Sequence, residues 1–429
     1  MKRELGIFER GQFIADQYAP FHIVGVLRLE NAPHPDTLRK SIAELQKRHP
    51  FLAAHLTHEK GRHYFSTLRD PALPVRILLR LSDEHWIQVT ESELEDRIDA
   101  STGPMFRCIY LYNENQKQAE IILALSHFIA DAASASQLLH ELMTLCASFS
   151  DGKSVTVSEL SPAPTVESRF PPAFRRWRLS LRIIRYAFTQ MADEIFYRLR
   201  TIGKRTPPFH KPPTHGHILP VQFSSDIVEP FAQRARKEGV TLNSALNAAL
   251  LLSVNRHLYA GKELPMRTFS FADLRPYVEP PLPPENLGLY ISMMRYTVNV
   301  DGRVDFWPFA KNMHKKIYTS LKYGDKFVAS AMSESLLTML VKLDSVRLCA
   351  SALNYNGMVP VQTNYGKVKV LEMHGFVSGH AFGPEMASQA QLFNDTLVWD
   401  FAYLEEDMDE KKANVIVKEI KGIMKAAVN

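Results

Sequence analysis

Cysteine is scarce and scattered in this chain. Its 429 residues include three cysteines, Cys108, Cys146 and Cys349, and no CxxC pair. A disulfide framework or a cysteine-rich zinc site needs several cysteines at short, regular spacing. We therefore expect neither of these, and a reducing, cytoplasmic setting fits the chain best.

Signatures of several common chemistries are also missing. The sequence contains no GxGxxG, no Walker loop, no HExxH, no EF-hand loop and no G-x-S-x-G elbow. Nucleotide-phosphate, metal and classical serine-hydrolase chemistries therefore lack their usual anchors, and we expect no metal site. The basic residues are not interleaved with aromatic residues on strands, so nucleic acid is not an expected partner.

Long apolar runs are absent as well. The first ten residues, MKRELGIFER, are charged throughout, unlike a signal peptide. The longest apolar helix candidate, residues 242–254, is interrupted by polar residues and is too short to span a bilayer. We therefore expect a cytoplasmic protein without a transmembrane segment, with peripheral association at a membrane as an alternative.

Length and composition favour two folded domains. A chain of 429 residues is too long for one ordinary core, and 45% hydrophobic with 23% charged residues is typical of globular proteins. Strand-like and helix-like segments alternate on both sides of a proline-rich region. We predict an α/β N-terminal lobe over 1–150, a basic linker with one helix over 151–220, and an α/β C-terminal lobe over 221–429.

The positive charge is concentrated in the linker. Residues 169–205 contain nine Arg and one Lys against two acids, a balance of +8, so the rest of the chain sums to −3 within a net charge of +5. A helix over about 173–199 repeats apolar residues on one side. It is either an arginine-rich solvated helix over a domain junction, or a surface for an acidic carrier protein or anionic lipid headgroups.

The stretch around His127 is the best candidate for chemistry. Residues 121–126 are almost wholly apolar, which predicts a strand buried on both faces or, as an alternative, part of a core helix. Helical spacing begins near Asp131, with Asp131 or Ser134 as the N-cap. An imidazole held at the end of a buried strand suits a general base.

Residues 127–131, HFIAD, resemble the HxxxD core of the HHxxxDG motif. This motif marks the chloramphenicol-acetyltransferase-like superfamily, which includes condensation domains and the PapA-type and alcohol acyltransferases. Further motifs follow in the family's order: residues 46–52 (QKRHPFL) are similar to its RHP-x-L ending, residues 271–275 (FADLR) to its VDLR element followed by Asn286-Leu-Gly288, and residues 351–357 (SALNYNG) to its late SN-x-G turn.

The resemblance implies two similar α/β lobes, a pseudo-dimer, with a tunnel between them. His127 would be the general base that activates an acceptor hydroxyl or amine for attack on an acyl thioester carried by CoA or a carrier protein. An alcohol is the favoured acceptor, and the transferred group would be other than aminoacyl. No cofactor would be needed, because acyl-CoA or the acyl carrier protein is a substrate. A role in lipid or secondary metabolism would follow.

The resemblance also assigns supporting residues. In such enzymes the aspartate of the motif supports the loop through an arginine, for which Arg275 is the natural partner of Asp131. Candidates for the oxyanion donor or substrate contacts are Asn356, Tyr290 and Ser351, by motif position.

The sequence departs from the motif at two positions. Ser126 replaces its first histidine, and Ala132 replaces its glycine. His127, the histidine assigned to chemistry, is kept. Two alternatives remain open: a free-standing condensation enzyme that forms amides, and a non-catalytic member that binds a carrier protein or lipid.

Overall fold

The structure is a computed structural model in which residues 1–378 and 382–428 are described. Its strands are β1 (Lys2–Glu4), β2 (His22–Glu30), β3 (Ala54–Glu59), β4 (Arg62–Thr67), β5 (Val75–Leu79), β6 (Phe106–Tyr112), β7 (Gln118–Ser126), β8 (Gly216–Leu219), β9 (Gln222–Phe223), β10 (Leu264–Asp273), β11 (Ile291–Val300), β12 (Ser351–Met358), β13 (Asn364–Tyr365), β14 (Val368–Val377), β15 (Met386–Phe393) and β16 (Thr396–Leu404). Its α-helices are α1 (Ile7–Tyr18), α2 (Pro35–Arg48), α3 (His85–Glu95), α4 (Ala132–Ser150), α5 (Arg176–Thr201), α6 (Ser225–Lys237), α7 (Leu242–Leu258), α8 (Phe306–Tyr323), α9 (Asp325–Leu343) and α10 (Glu410–Ala426).

The chain forms two units that are not contiguous in sequence. The first contains Met1–Arg169, Val278–Tyr290 and Met358–Ser378, and the second contains Phe170–Tyr277, Ile291–Gly357 and the described residues from 382 onward. Each unit has a large mixed sheet with packed helices. The predicted α/β class with two sheet-rich lobes is therefore confirmed.

The first unit is built on a sheet of order β13-β14-β2-β7-β6-β5. Strand β7 lies in its centre, and all of its residues after the first are buried. Helix α4 packs against β2 and β7, and helix α3 contacts the same two strands. The buried strand predicted from residues 121–126 is confirmed, and the core-helix alternative is wrong.

Strand β14 crosses from late in the sequence into the first unit. It pairs antiparallel with β2 from Val377↔Ile23 to Lys369↔Glu30, with a bulge between Val370 and Glu372. The sequence placed these residues in a C-terminal lobe over 221–429 and drew boundaries at 150 and 220. The structure differs because β14 (Val368–Val377) joins the later segment to β2 through eight paired residues.

The second unit has a sheet of order β11-β10-β12-β15-β16-β8, with β9 also paired to β16. Helix α7 is buried nearly all round, as its composition predicts, and packs against α8 and α10. Helix α5, the predicted linker helix, belongs to this unit, where it packs against β10 and α9.

Residues of the RHP motif clamp α2 to α4. The Arg48 Nε donates to Glu141 Oε2 at 2.9 Å, and the His49 Nε2 lies 2.9 Å from the same oxygen. Burial opposes ionisation of Glu141, but the hydrogen bonds of His49 and Gln137 and the charge of Arg48 outweigh it and lower the Glu141 pKa to about 2. The clamp therefore holds the helix that follows HxxxD with a charged carboxylate.

Several local predictions were wrong or incomplete. The residues predicted as a late turn, Asn354 to Gly357, continue strand β12, although Gly357 has a φ of +68°. The sequence did not predict four of the helices or eight of the strands, which are α1, α3, α8, α9, β1, β3, β4, β8, β11, β13, β14 and β15. The three cysteines are buried and free. No helix among the described residues combines the length and apolar character needed to cross a membrane.

Candidate active site

Backbone pairing at the end of β7 fixes the position of His127. Ser126 pairs with His22 of β2, and its amide also donates to the Met105 carbonyl at 3.1 Å. The His127 amide then donates to the Phe21 carbonyl at 3.0 Å. His127 is therefore held as rigidly as a strand residue, although it lies one position beyond β7.

A tight buried turn shapes the His127 side chain. Phe128, Ile129 and Ala130 are buried, and the Ile129 amide donates to the Ser126 carbonyl at 3.1 Å. The turn brings the Ala130 carbonyl to 2.9 Å from Nδ1 of His127. Because a carbonyl can only accept, Nδ1 carries the proton, and Nε2 of the neutral ring is left as the acceptor.

Burial keeps this ring neutral. Burial lowers the pKa of His127 below its ordinary value of 6.5, although the Ala130 carbonyl and the Asp131 carboxylate act in the opposite direction. A neutral imidazole with an unprotonated Nε2 is the form that a general base requires.

Asp131 is the N-cap of α4. Its Oδ1 accepts a hydrogen bond from the Ser134 amide at 2.9 Å, which confirms Asp131 as the cap. Its Oδ2 accepts from the Tyr290 amide at 2.8 Å. The carboxylate, 2% exposed, therefore joins the start of α4 to the 288–290 segment inside the first unit.

Ser134 makes a second tie between the same segments. Its hydroxyl donates to the Gly288 carbonyl at 2.9 Å, and the Gly288 amide donates to the same hydroxyl at 3.2 Å. The sequence named Ser134 only as an alternative cap and missed this role. No local signal could have shown it, because the partner Gly288 lies 154 residues later in the chain.

Gly288 and Tyr290 shape the segment that receives these bonds. A Cβ on Gly288 would lie 2.5 Å from the Tyr290 ring, so no larger residue fits there without movement. The buried Tyr290 hydroxyl donates to the Pro164 carbonyl at 2.5 Å. The described contacts of Tyr290 therefore brace the Asp131 turn, whereas the sequence suggested an oxyanion or substrate contact.

The remaining predicted site residues belong to the second unit. Arg275 is buried, and its amide and Nη1 bind Asp273 Oδ1 at 3.0 and 3.2 Å. The Ser351 hydroxyl donates to Thr268 Oγ1 at 2.9 Å, and Asn356 is half-buried on β12. Pairing of Arg275 with Asp131, and the roles of Ser351 and Asn356, stay predictions, as does the tunnel.

The two positions that depart from the motif have different surroundings. Ser126 is fully buried, and its Oγ has no hydrogen-bond partner among the described residues. Ala132 is half-buried and begins α4. Neither substitution interrupts the contacts that hold His127 and Asp131.

Two family models match most of the chain. The condensation domain model matches residues 13–163, and the model of the phthiocerol/phthiodiolone dimycocerosyl transferase C-terminus, PapA_C, matches residues 218–393. The first covers the HxxxD turn and the second covers the FADLR and SALNYNG motifs. The chain belongs to the condensation-domain superfamily.

Solved structures of the superfamily share the fold over nearly the whole chain. Polyketide synthase associated protein 5 from Mycobacterium tuberculosis is 16% identical, with a TM-score of 0.70 over 99% of this chain and 98% of that one. TRI3 trichothecene 15-O-acetyltransferase from Fusarium sporotrichioides is 12% identical, with a TM-score of 0.78 over 99% and 95%. The starter condensation domain of rhizomide synthetase in complex with C8-CoA is 12% identical, with a TM-score of 0.69 over 100% and 95%.

No curated protein matches this chain significantly. The two family matches support an acyltransferase or condensation activity.

Proposed function

We propose that this condensation-superfamily member is an O-acyltransferase that moves an acyl group from a thioester to an acceptor hydroxyl. The observation that carries the proposal is the 2.9 Å contact between His127 Nδ1 and the Ala130 carbonyl, which leaves Nε2 as a proton acceptor. The lowered pKa of His127 supports it, because the ring stays neutral at physiological pH.

The reaction needs no covalent acyl-enzyme. Nε2 of His127 takes the proton of the hydroxyl while its oxygen attacks the thioester carbonyl carbon. The tetrahedral intermediate collapses, the C–S bond breaks, and the thiolate recovers the proton from His127. The products are an ester and a free thiol, so the proton count balances. Asn356, a predicted oxyanion contact, is a proposed donor to the intermediate.

Replacement of His127 tests the base assignment. We expect His127→Ala to lower thiol release from acyl-CoA in the presence of acceptor alcohols by about 10²- to 10⁴-fold, the usual contribution of a general base. His58→Ala removes an exposed histidine of β3 and serves as the matched control. Transfer that is undiminished in His127→Ala would refute the assignment.

The pH profile adds a second readout of the same experiment. A protonated imidazole cannot accept a proton, and the pKa of His127 is lowered, so activity should fall only below pH 6.5. An acid limb centred above pH 6.5 would contradict the neutral His127.

Parallel assays with amines and with carrier-bound donors distinguish ester formation from amide condensation. Ligand binding without transfer to any acceptor would favour the non-catalytic alternative.

A further inference from the structure

Helix α5 turns its apolar side away from the protein. Large apolar side chains recur at i, i+4, i+7, i+11, i+14 and i+18, which places them within about 40° of one line along the helix. They are Trp177, Leu181, Ile184, Phe188, Met191 and Ile195, each more than half exposed. We call this line the outer stripe.

The opposite side of α5 faces the sheet of its own unit and carries the acids of the helix. Glu194 pairs with the buried Arg267 of β10 at 2.8 Å, and Tyr197 lies under the same guanidinium, 3.6 Å from ring centroid to Cζ. Asp193 accepts a hydrogen bond from Thr297 of β11 at 2.6 Å. The largest apolar side chains of α5 are therefore exposed while its acids face the sheet, whereas an ordinary surface helix buries its apolar side.

The ion pairs between α5 and the sheet explain why the apolar residues of α5 are exposed. The sheet presents Arg267 and Arg295 beneath α5, and the two acids of residues 169–205, Asp193 and Glu194, are turned toward them. The sequence allowed an arginine-rich solvated helix, but that interpretation does not account for an exposed Trp177 and Phe188, 64% and 63% exposed. An exposed apolar line of this length marks a binding surface.

The outer stripe is bordered by positive charge. Arg176 and Arg178 are exposed, lie about 100° to either side of the line through Trp177 and form no ion pair among the described residues, and Arg178 lies over the Trp177 ring. A second copy of this helix would bring like charges together along the stripe, because its acids are bound to the sheet. An anionic lipid surface complements both the apolar line and the arginine border.

Helix α9, which packs against α5, adds apolar surface. Its Leu336, Met339 and Leu343 are exposed at i, i+3 and i+7. Exposed apolar side chains in this unit are thus not limited to α5.

We propose that the outer stripe of α5 docks on an anionic phospholipid surface, with the helix axis in the plane of the membrane and the arginines at the headgroups. The proposal stands independently of the acyl transfer chemistry. It concerns attachment at the interface, which a helix of this composition achieves without crossing the bilayer.

Vesicle binding by the full-length protein tests the proposal. We expect the protein to cosediment with vesicles of phosphatidylcholine containing about 25 mol% phosphatidylglycerol, and to bind at least about tenfold more weakly to phosphatidylcholine alone. Added salt should weaken binding to the anionic vesicles, because it screens the arginines. Absence of binding to the anionic vesicles would overturn the proposal.

Two pairs of matched variants separate apolar from charge contributions. Leu181→Gln with Phe188→Gln should weaken binding at least about tenfold, whereas Leu79→Gln with Leu81→Gln, at exposed leucines outside α5, should not. Arg176→Gln with Arg178→Gln should weaken binding to anionic vesicles more than Lys411→Gln with Lys412→Gln on α10. Unchanged binding of the α5 variants would overturn the proposal.

Trp177 gives a readout that does not depend on a variant folding. Trp86 and Trp399 are buried and Trp307 is half-buried, so insertion should shift the fluorescence of the exposed Trp177 to the blue and allow quenching by brominated lipid. Trp177→Phe should lose that change. Wild-type fluorescence that does not respond to the vesicles would contradict insertion.

Two other outcomes would assign the outer stripe to a different partner and overturn the proposal. One is a dimer in solution that dissociates in the Leu181→Gln with Phe188→Gln variant. The other is binding to an acidic protein in place of vesicles.

Discussion

Asp131 combines two tasks in one buried carboxylate. One oxygen caps α4 through the Ser134 amide, and the other receives the Tyr290 amide from a segment that lies more than 150 residues later. Each oxygen therefore satisfies a backbone donor that would otherwise be left buried and unpaired. The turn that carries His127 depends on both bonds.

Replacing Asp131 by Asn should damage stability before chemistry. An amide has one carbonyl oxygen, so the Asp131→Asn side chain would present an NH₂ group to one of the two donors, and we expect a loss of about 1–3 kcal/mol in the free energy of unfolding and a lower soluble yield. Urea unfolding measures the loss. Asp305→Asn is the matched control, because Asp305 caps α8 without a side-chain hydrogen bond. A variant with wild-type stability and activity would remove this role from Asp131.

At the scale of elements, α4 is held at two places along its length, by three residues. Asp131 and Ser134 attach its start to the 288–290 segment, and Glu141 attaches its middle to Arg48 and His49 at the end of α2. Three motifs that lie far apart in the sequence thus converge on the helix that follows HxxxD. Their shared structural purpose is to keep that helix, and hence the His127 turn, in one position.

Gly288→Ala tests the close approach of the 288–290 segment. The added methyl group would lie 2.5 Å from the Tyr290 ring, whose hydroxyl is held by Pro164, so we expect a loss of about 1–3 kcal/mol in unfolding free energy and reduced activity. Gly422→Ala on α10 has open space around it and should gain up to about 1 kcal/mol. Equal unfolding curves for Gly288→Ala and the wild type would show that the segment can move.

Local sequence patterns were sufficient for the core of the site. The apolar run of β7, the break at His127 and the cap at Asp131 are each encoded within a few residues, and all agree with the structure. The pattern at residues 354–357 misled because Asn and Gly are typical of turns, whereas pairing of β12 in the middle of its sheet keeps the chain extended. The bond from Ser134 to Gly288 is non-local, so spacing could not predict it.

At the scale of the molecule, two units share one chain that passes between them more than once. The predicted lobe boundaries followed changes in composition near residues 150 and 220. Composition does not show which strands pair with each other. The orientation of α5 could not be predicted either, because it depends on a tertiary contact. The periodicity located the apolar side of the helix, but the position of Arg267 beneath Glu194 determines that this side faces outward.

A fragment of residues 1–220 should not fold independently. It lacks β14, so the nine-residue apolar strand β2 would become an open sheet edge, and it also lacks the 288–290 partners of Asp131. We expect aggregation and no cooperative urea transition by circular dichroism, with the full chain measured alongside. A monomeric fragment with a sharp transition would show that β14 is dispensable.

The late arrival of β14 also sets the order in which the protein can fold during synthesis. The first unit needs Val377 of a 429-residue chain before its sheet is complete, so the His127 turn lacks its finished support until the ribosome has made most of the second unit. Contiguous domains usually fold in order from the N-terminus, but this chain cannot complete its first unit before most of the second unit has been synthesised. The nascent β2 edge must therefore be shielded from other chains for most of translation.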